Sequence, residues 1–312
     1  MTNYRKQLET AIRAALLAGS HFAAALHVSK QVSTKSSPAD LVTEYDAQCE
    51  SMIERIILEA FPDDEILGEE NTAPGSEASR QAAQSAYQSE RLWVIDPLDG
   101  TTNFVYQLPL SVVSIAYAEV GVVKVGVVYD PYREEGFAAV DGSPSVRFHR
   151  EEAQGWLQQW DGAEEVKEAD TREWQLPGVT LQASTRTGVR GAVLATGFPP
   201  RTTSRHLVIK ATLELTEHVK NLRALGAAAL HLAYVAAGRL DGFWEYDLNA
   251  WDLAAGCFLV QQAGGFVRGL DGRTYSLLTR DIVVAGSTEL IEDIIGRVTV
   301  SVNADTADGA EK

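Results

Sequence analysis

The sequence predicts a mixed α/β protein, and three patterns support that prediction. Apolar residues recur at helical spacing over residues 4–28 and again from Asp46 to Phe61. Residues 110–140 are instead rich in valine and alternate in polarity, with breaks at glycines, which is typical of antiparallel strands. Short strands and helices then follow each other through the second half of the chain.

The remaining elements divide the chain into two predicted lobes. The apolar run Leu92–Ile95 predicts a buried strand. Exposed segments are predicted at 30–43 and 71–90, strands at Val179–Ala183, Ala192–Thr196 and Asp241–Glu245, and helices at Ser204–Val219, within Leu222–Ala237 and at Trp251–Gly264. We expect an N-terminal α+β lobe over 1–148, a C-terminal α/β lobe over 149–300 and a disordered tail over 301–312. The acidic, tryptophan-bearing segment 151–175 receives no assignment.

Composition narrows the class of protein. The 312 residues are 45% hydrophobic and 22% charged, with a formal net charge of −16. Nucleic acid and anionic membrane are therefore not expected partners, because both select basic surfaces. A bound divalent metal would still allow an anionic substrate. The two cysteines lie far apart in sequence, and no apolar run approaches the ~20 residues of a membrane span, so we expect a cytoplasmic protein.

Acidic residues gather at four places that could carry chemistry. The most informative is the end of the Leu92 strand, where Asp96 and Asp99 follow the apolar run and Gly100 lets the chain turn. Each acidic group also has an ordinary interpretation, namely a turn after a strand, a solvated loop or an acid at a helix N-terminus. The four groups are Asp40 with Asp46, Glu69 with Glu70, Asp96 with Asp99, and Asp252.

The residue types favour a hard divalent cation beside a phosphate. Mg²⁺ prefers carboxylate and carbonyl oxygens, and no histidine or cysteine neighbours Glu69, Asp96 or Asp99, so zinc is disfavoured. The turn Gly100-Thr101-Thr102 could open a short helix whose free N–H groups face an anion. Metal-binding acids beside a phosphate-binding turn indicate phosphoryl chemistry with water as the nucleophile.

At this point the chain resembles the inositol monophosphatase family of lithium-sensitive, magnesium-dependent phosphatases. Four blocks match in order, and together they span about 230 residues. They are KSSPADLVT at 35–43 with Asp46, GEE at 68–70, WVIDPLDGTTNF at 93–104, and WDLAAG at 251–256 followed by AGG at 263–265.

The resemblance implies a fold, a reaction and a set of roles. The fold is a five-layered α-β-α-β-α sandwich of the sugar phosphatase type, usually in a homodimer. Two or three Mg²⁺ ions activate a water that attacks a phosphate monoester, and Li⁺ inhibits. The implied metal ligands are Glu69, Asp96, the Leu98 carbonyl, Asp99 and Asp252; the catalytic residues are Glu69, Thr101 and Asp46; the phosphate and substrate contacts are Gly100, Thr101, Glu245, Gly226, Ala227 and Lys35.

Departures from the family pattern fall on the substrate side of the site. Ala227 lacks the hydroxyl that the family often has there, Asp247 stands where glycine is common, and Asn249 stands where histidine is sometimes found. The family's glycine-rich hairpin after Val140 is absent, and the segment 151–175 replaces it. The metal-binding acids are retained, whereas the residues that would recognise the alcohol are altered.

Three functions follow from this pattern. The first is hydrolysis of a small phosphate monoester, with inositol-1-phosphate as the leading substrate. The second keeps the chemistry but changes the substrate to histidinol phosphate, fructose-1,6-bisphosphate or NADP. The third is a non-catalytic regulator that responds to metal or phosphate on a retired phosphatase scaffold.

Overall fold

The computed structural model describes residues 4–161 and 176–308. The helices are α1 Arg5–Ala24, α2 Glu44–Ala60, α3 Ser76–Ala86, α4 Thr101–Val105, α5 Arg150–Asp161, α6 Thr202–Thr216, α7 Ala228–Ala236, α8 Ala250–Gln262 and α9 Thr288–Asp308. A short antiparallel hairpin, β1 Val32–Thr34 with β2 Leu41–Thr43, precedes α2.

Two larger sheets carry the rest of the strands. The first runs in sequence order and is antiparallel except between its first two strands; it contains β3 Glu65–Gly68, β4 Leu92–Asp99, β5 Val112–Glu119, β6 Val122–Asp130, β7 Glu135–Val140, β8 Val146–His149 and β9 Val179–Thr180. The second has the order β11-β10-β12-β14-β13 and contains β10 Val193–Thr196, β11 Asn221–Arg223, β12 Gly242–Glu245, β13 Phe266–Gly269 and β14 Ile282–Ala285.

Helices and sheets stack in five layers. Helices α1 and α2 pack on one face of the first sheet, and α7 and α8 pack on its other face. Helices α7 and α8 also contact the second sheet, whose far side is covered by α9 and its neighbour α6. The order is therefore α-β-α-β-α, which confirms the fold that the family resemblance implied.

Strand β4 is the second strand of the first sheet and is buried on both faces. Trp93 and Ile95 belong to the hydrophobic core under α1 and α2. Leu92 and Val94 belong to the core between the two sheets. This is the period-two alternation of a strand, and here both sets of side chains are apolar because both faces meet helices.

Several predicted elements differ from the structure. Segment 30–43 contains the β1–β2 hairpin, and segment 71–90 contains helix α3, so both were more regular than predicted. The strand predicted at Val179–Ala183 shortens to two residues. Helix α9 continues to Asp308, into the segment for which a disordered tail was predicted, and residues 309–312 lie outside the described part of the chain.

The two-lobe division stays a prediction. Strands β8 and β9 belong to one sheet although they lie on either side of the acidic segment. Within that segment α5 ends at Asp161, and residues 162–175 lie outside the described ranges. None of the helices in the described ranges combines the length and apolar character that crossing a bilayer requires.

Helices α7 and α8 approach each other closely because of a glycine. A Cβ atom at Gly256 in α8 would lie 2.5 Å from Cβ of Leu232 in α7. Gly126 in β6 has the same effect at the sheet, since a Cβ there would lie 3.0 Å from the Ala255 carbonyl oxygen. The position of α8 against the first sheet therefore depends on two missing side chains.

A buried histidine fixes the turn that precedes α7. His231 is fully buried, and its Nε2 accepts a hydrogen bond of 2.9 Å from the Leu225 backbone N–H. Because an N–H can only donate, Nε2 carries no proton in this arrangement. Burial lowers the pKa of His231 to about 3, so the ring stays neutral down to strongly acidic pH. The turn after Leu225 is held by this neutral ring.

We expect Gly256→Ala to destabilise the protein by about 1–3 kcal/mol, because the new methyl group overlaps Leu232. The matched control is Gly155→Ala in α5, where a Cβ would meet no atom of residues 4–161 or 176–308 within 4 Å. That change should stabilise by roughly 0.5–1 kcal/mol, since alanine is the better helix former. Urea unfolding of both variants measures the difference, and equal effects would contradict the packing argument.

We expect the free energy of unfolding to depend on His231 at acidic pH. The unfolded ring binds a proton near pH 6.5 but the folded ring only near pH 3, so stability falls as pH drops between these values. His231→Gln keeps an acceptor for Leu225 and cannot titrate. Its unfolding free energy should therefore fall less steeply than that of the wild type, by up to ~1.4 kcal/mol per pH unit. Parallel curves from pH 7 to pH 4 would refute this.

Candidate active site

The acids at the end of β4 reach one cluster because the strand is irregular there. Residues three apart on a regular strand point to opposite faces. Pairing with β5 shifts register between Asp96 and Asp99, and this irregularity changes their relative direction. Oxygen atoms of Asp96, Asp99 and Asp252 all lie within 4.8 Å of one another. Three carboxylates from two distant segments thus converge on one point.

Asp252 is held by the start of α8. It forms a capping box with Asn249, whose backbone N–H donates to Oδ2 of Asp252 at 2.6 Å. The interpretation of Asp252 as an acid at a helix N-terminus is therefore correct, and it also belongs to the cluster. Asp96 likewise accepts the Leu98 N–H at 3.0 Å, as in a turn, while it faces the other two acids.

The electrostatics of this cluster call for a cation. Burial, followed by repulsion from Glu69 and the other two acids, raises the pKa of Asp96 well above its usual range. Burial and then Asp252 do the same for Asp99, and burial and then Glu69 raise the pKa of Asp252 to about 7. Within residues 4–161 and 176–308, none of the three forms an ion pair with a basic side chain. Ionised together, they would be costly without a metal ion.

The donor set fits Mg²⁺. All three side-chain donors are carboxylate oxygens, and no histidine or cysteine joins the cluster among the described residues. Mg²⁺ takes oxygen ligands, whereas structural zinc sites are built from thiolate and imidazole. The Leu98 carbonyl oxygen, between Asp96 and Asp99 in sequence, lies 3.2 Å from the Thr101 hydroxyl and has two lone pairs to offer a cation.

Glu69 does not belong to the three-acid cluster; it pairs with a lysine. Lys35 Nζ lies 2.8 Å from Glu69 Oε1 and 2.6 Å from Glu70 Oε1. Burial opposes the charge on Lys35, but the two glutamates outweigh it and raise the lysine pKa above its ordinary value. Glu69 and Glu70 therefore do not lie in a freely solvated loop. In the structure Lys35 contacts two carboxylates, whereas the family resemblance implied a contact between Lys35 and the substrate.

Thr101 is linked to Asp46 across the fold. Its hydroxyl lies 2.9 Å from Oδ1 of Asp46 and 3.2 Å from the Leu98 carbonyl oxygen. The other oxygen of Asp46 accepts from the Thr43 hydroxyl at 2.6 Å and its N–H at 2.8 Å, as part of a capping box at the start of α2. Asp46 is buried, and its position is fixed from both sides.

Gly100 lets two turns meet at close range. Its φ is +95°, and a Cβ there would lie 3.2 Å from both the Ala227 Cβ and the Gly226 carbonyl oxygen. Asn103 joins the same turns by donating to the Leu225 carbonyl at 2.7 Å. The predicted substrate contacts Gly100, Gly226 and Ala227 are thus adjacent in space.

The start of α7 also contacts the metal-binding acids. The Ala229 N–H donates to Oδ2 of Asp99 at 2.6 Å. Because His231 holds the preceding turn, it fixes the orientation of this amide. His231 was not predicted from the sequence, because no periodic signal distinguishes it from a core residue.

Glu245 closes the far side of the site at the end of β12. It is buried, and burial, followed by repulsion from Asp252 and Asp99, raises its pKa well above the usual range. The glycine at 197 leaves room for its carboxylate, since a Cβ there would overlap it.

A cavity of about 820 Å³ brings these groups to one opening. The predicted site residues that line it are Lys35, Glu69, Asp99, Gly100, Thr101, Gly226, Glu245 and Asp252. The predicted residues that are not among the lining are Asp46, Asp96, Leu98 and Ala227. Residues that the sequence analysis did not select, namely Ser76, Arg201 and Arg280, also line it.

Two of the supporting residues had a readable signal. Thr43 and Asp46 match the spacing of a capping box. Glu50, which accepts from the Glu70 and Asn71 N–H groups, lay within a helical pattern and gave no such signal.

Comparison with known proteins assigns the family. The model of the inositol monophosphatase family matches residues 3–302. The Nus factor SuhB of Pasteurella multocida is 36% identical over 293 residues, which cover 93% of this chain and 95% of that protein. The Nus factor SuhB of Escherichia coli K12 is 37% identical over 297 residues, or 93% and 95% of the two chains.

Solved structures agree with this assignment. The extragenic suppressor protein SuhB of Bartonella henselae is similar with a TM-score of 0.73 and 29% identity, covering 93% of this chain and 96% of that one. A Thermotoga maritima IMPase gives a TM-score of 0.73 and 29% identity over 95% and 98% of the two chains. The chain therefore belongs to the inositol monophosphatase family.

Proposed function

We propose that this protein is a Mg²⁺-dependent phosphatase that hydrolyses a small phosphate monoester, with inositol-1-phosphate as the first candidate. Family membership supports a phosphatase. The observation that carries the proposal is the convergence of Asp96, Asp99 and Asp252 near the Thr101–Asp46 hydrogen bond. Of these residues, Asp99, Thr101 and Asp252 line one cavity. A metal-binding cluster next to an ordered hydroxyl is what hydrolysis by an activated water needs.

The metal ions would be held by oxygen atoms alone. Asp96, Asp99 and Asp252 supply the core of the site, and Glu69 and the Leu98 carbonyl complete it for two or three Mg²⁺ ions. When bound, Mg²⁺ neutralises charge on the phosphate oxygens and lowers the pKa of a coordinated water.

Thr101 and Asp46 orient the attacking water. When the Thr101 hydroxyl donates to Oδ1 of Asp46, its lone pairs can accept a hydrogen bond from water. Thr43 fixes the other carboxylate oxygen of Asp46, so the hydroxyl does not turn freely. Glu69 lines the same cavity and would take the proton.

The phosphate and its alcohol would occupy the two sides of Gly100. The N–H groups of Gly100 and Thr101 would hold phosphate oxygens, because they open α4 beside the acid cluster. Gly226, Ala227 and Glu245 would face the alcohol. Lys35, through its pair with Glu69 and Glu70, would balance charge at the edge of the site.

A panel of phosphate monoesters would identify the alcohol of the substrate. Histidinol phosphate, fructose-1,6-bisphosphate and NADP are the alternatives to inositol-1-phosphate. Inhibition by Li⁺, a homodimeric state and a cytoplasmic location are further proposals for the same protein, as is the absence of nucleic acid and membrane partners.

A regulatory role is the second candidate. It is favoured by the relatives at 36–37% identity that are called Nus factor SuhB. The retained acid cluster favours catalysis, because clustered buried charge has no use in a retired site. If the wild type releases phosphate from none of the panel members in the presence of Mg²⁺, the regulatory role becomes the better assignment.

We expect Asp99→Asn to lower kcat by at least about 100-fold, because a neutral amide cannot stabilise the cation that supports the transition state. The matched control is Asp271→Asn, an exposed acid outside the cavity, which should keep wild-type turnover. Release of inorganic phosphate from inositol-1-phosphate, with Mg²⁺ and with a chelator, is the measurement. Unchanged turnover in Asp99→Asn would refute the metal role assigned to it.

A further inference from the structure

Asp247 adopts a backbone conformation that is uncommon for residues other than glycine, although aspartate tolerates it better than most. Its φ is +61°, in the left-handed region, and it lies between Glu245 at the end of β12 and Asp252 in the first turn of α8. A side chain kept in this conformation costs free energy that its contacts must offset.

Those contacts are made by the Asp247 carboxylate to three separate segments. It accepts from the Ser76 hydroxyl at 3.1 and 3.2 Å and from the Ser204 hydroxyl at 3.3 Å. The Arg280 guanidinium lies 2.8 Å from Oδ1. The Asp247 side chain is only 11% exposed and that of Arg280 13%, so this group is largely shielded from solvent.

The partners of Asp247 belong to the wall of the cavity. Ser76 is the first residue of α3, and Ser204 lies in the first turn of α6. Both helix N-termini favour a nearby negative charge. Ser76, Asp247 and Arg280 all line the cavity, as does the segment 198–202 that leads into α6. One carboxylate therefore joins three parts of the wall that are distant in sequence.

Arg280 extends the connection to the metal-binding acids. It donates at 2.7 Å to Oδ1 of Asn249, and the Asn249 N–H donates to Asp252 at 2.6 Å. The wall and the start of α8 are thus linked by an unbroken series of hydrogen bonds.

We propose that Asp247 is a positioning residue that sets the fit of the substrate's alcohol, an inference that rests on the proposed phosphatase function. Three donors, from Ser76, Ser204 and Arg280, already hold its carboxylate, so we assign it a role through the wall and not through direct contact with substrate. Loss of the carboxylate releases α3 and α6 from the loop. A bulky polyol then loses contacts with the cavity wall, whereas the reacting phosphate remains bound near Gly100.

The test compares two esters in three proteins. Asp247→Gly removes the carboxylate and suits the positive φ, and Asp247→Asn keeps acceptor and shape. Glu134→Gly is the matched control, because Glu134 is also acidic, has a φ of +51° and lies outside the cavity. The substrates are inositol-1-phosphate, or whichever panel member the wild type turns over best, and methyl phosphate.

We expect Asp247→Gly to raise KM for the larger ester by roughly tenfold with little change in kcat, and to leave both constants for methyl phosphate within about twofold. Asp247→Asn should recover most of the lost affinity, and Glu134→Gly should match the wild type. An unchanged KM for the larger ester would overturn the proposal, as would an equal loss of kcat for both esters.

A second readout needs no activity. Hydrogen–deuterium exchange of peptides that contain Ser76 and Ser204 should increase in Asp247→Gly and stay at the wild-type level in Glu134→Gly. If the wild type hydrolyses no ester, the proposed function fails, and this exchange still decides whether Asp247 holds the wall. Unchanged exchange at both peptides would overturn the positioning role.

Discussion

The convergence of three carboxylates, two of them buried and the third half-buried, is the constraint on which the rest of the site depends. Asp96, Asp99 and Asp252 come within 4.8 Å of one another, and no basic side chain among the described residues pairs with them. Their mutual repulsion in a buried place opposes folding unless a cation offsets it. The three carboxylates must therefore be held in place by other interactions, and the surrounding backbone supplies them as hydrogen bonds.

Each acid is held by backbone from a different element. Asp96 accepts the N–H two residues further along β4, Asp99 accepts the N–H of Ala229 in α7, and Asp252 accepts the N–H of Asn249. Close packing of α7 on α8 brings two of these elements together. The central helix layer of the sandwich therefore positions the metal site as well as filling the core between the sheets.

The sequence could predict the parts of the fold that leave a local signal. The apolar run before Asp96 and the helical periodicity around Asp252 could both be recognised in the sequence. The hairpin at 30–43 could not, because all three residues of β1 are exposed and give no alternation of apolar and polar residues. The register shift between Asp96 and Asp99 depends on pairing with β5. The contact between Ser76 and Asp247 joins residues 171 apart, so no local pattern could reveal it.

Calorimetric titration of Mg²⁺ tests whether the three acids form a Mg²⁺ site. We expect binding by the wild type and by Asp271→Asn, and an affinity lower by about tenfold or more in Asp252→Asn, because a neutral amide is a poorer ligand for a hard cation. The amide can still accept the Asn249 N–H, so the start of α8 is kept. Equal affinity in all three proteins, or no binding by the wild type, would contradict the account.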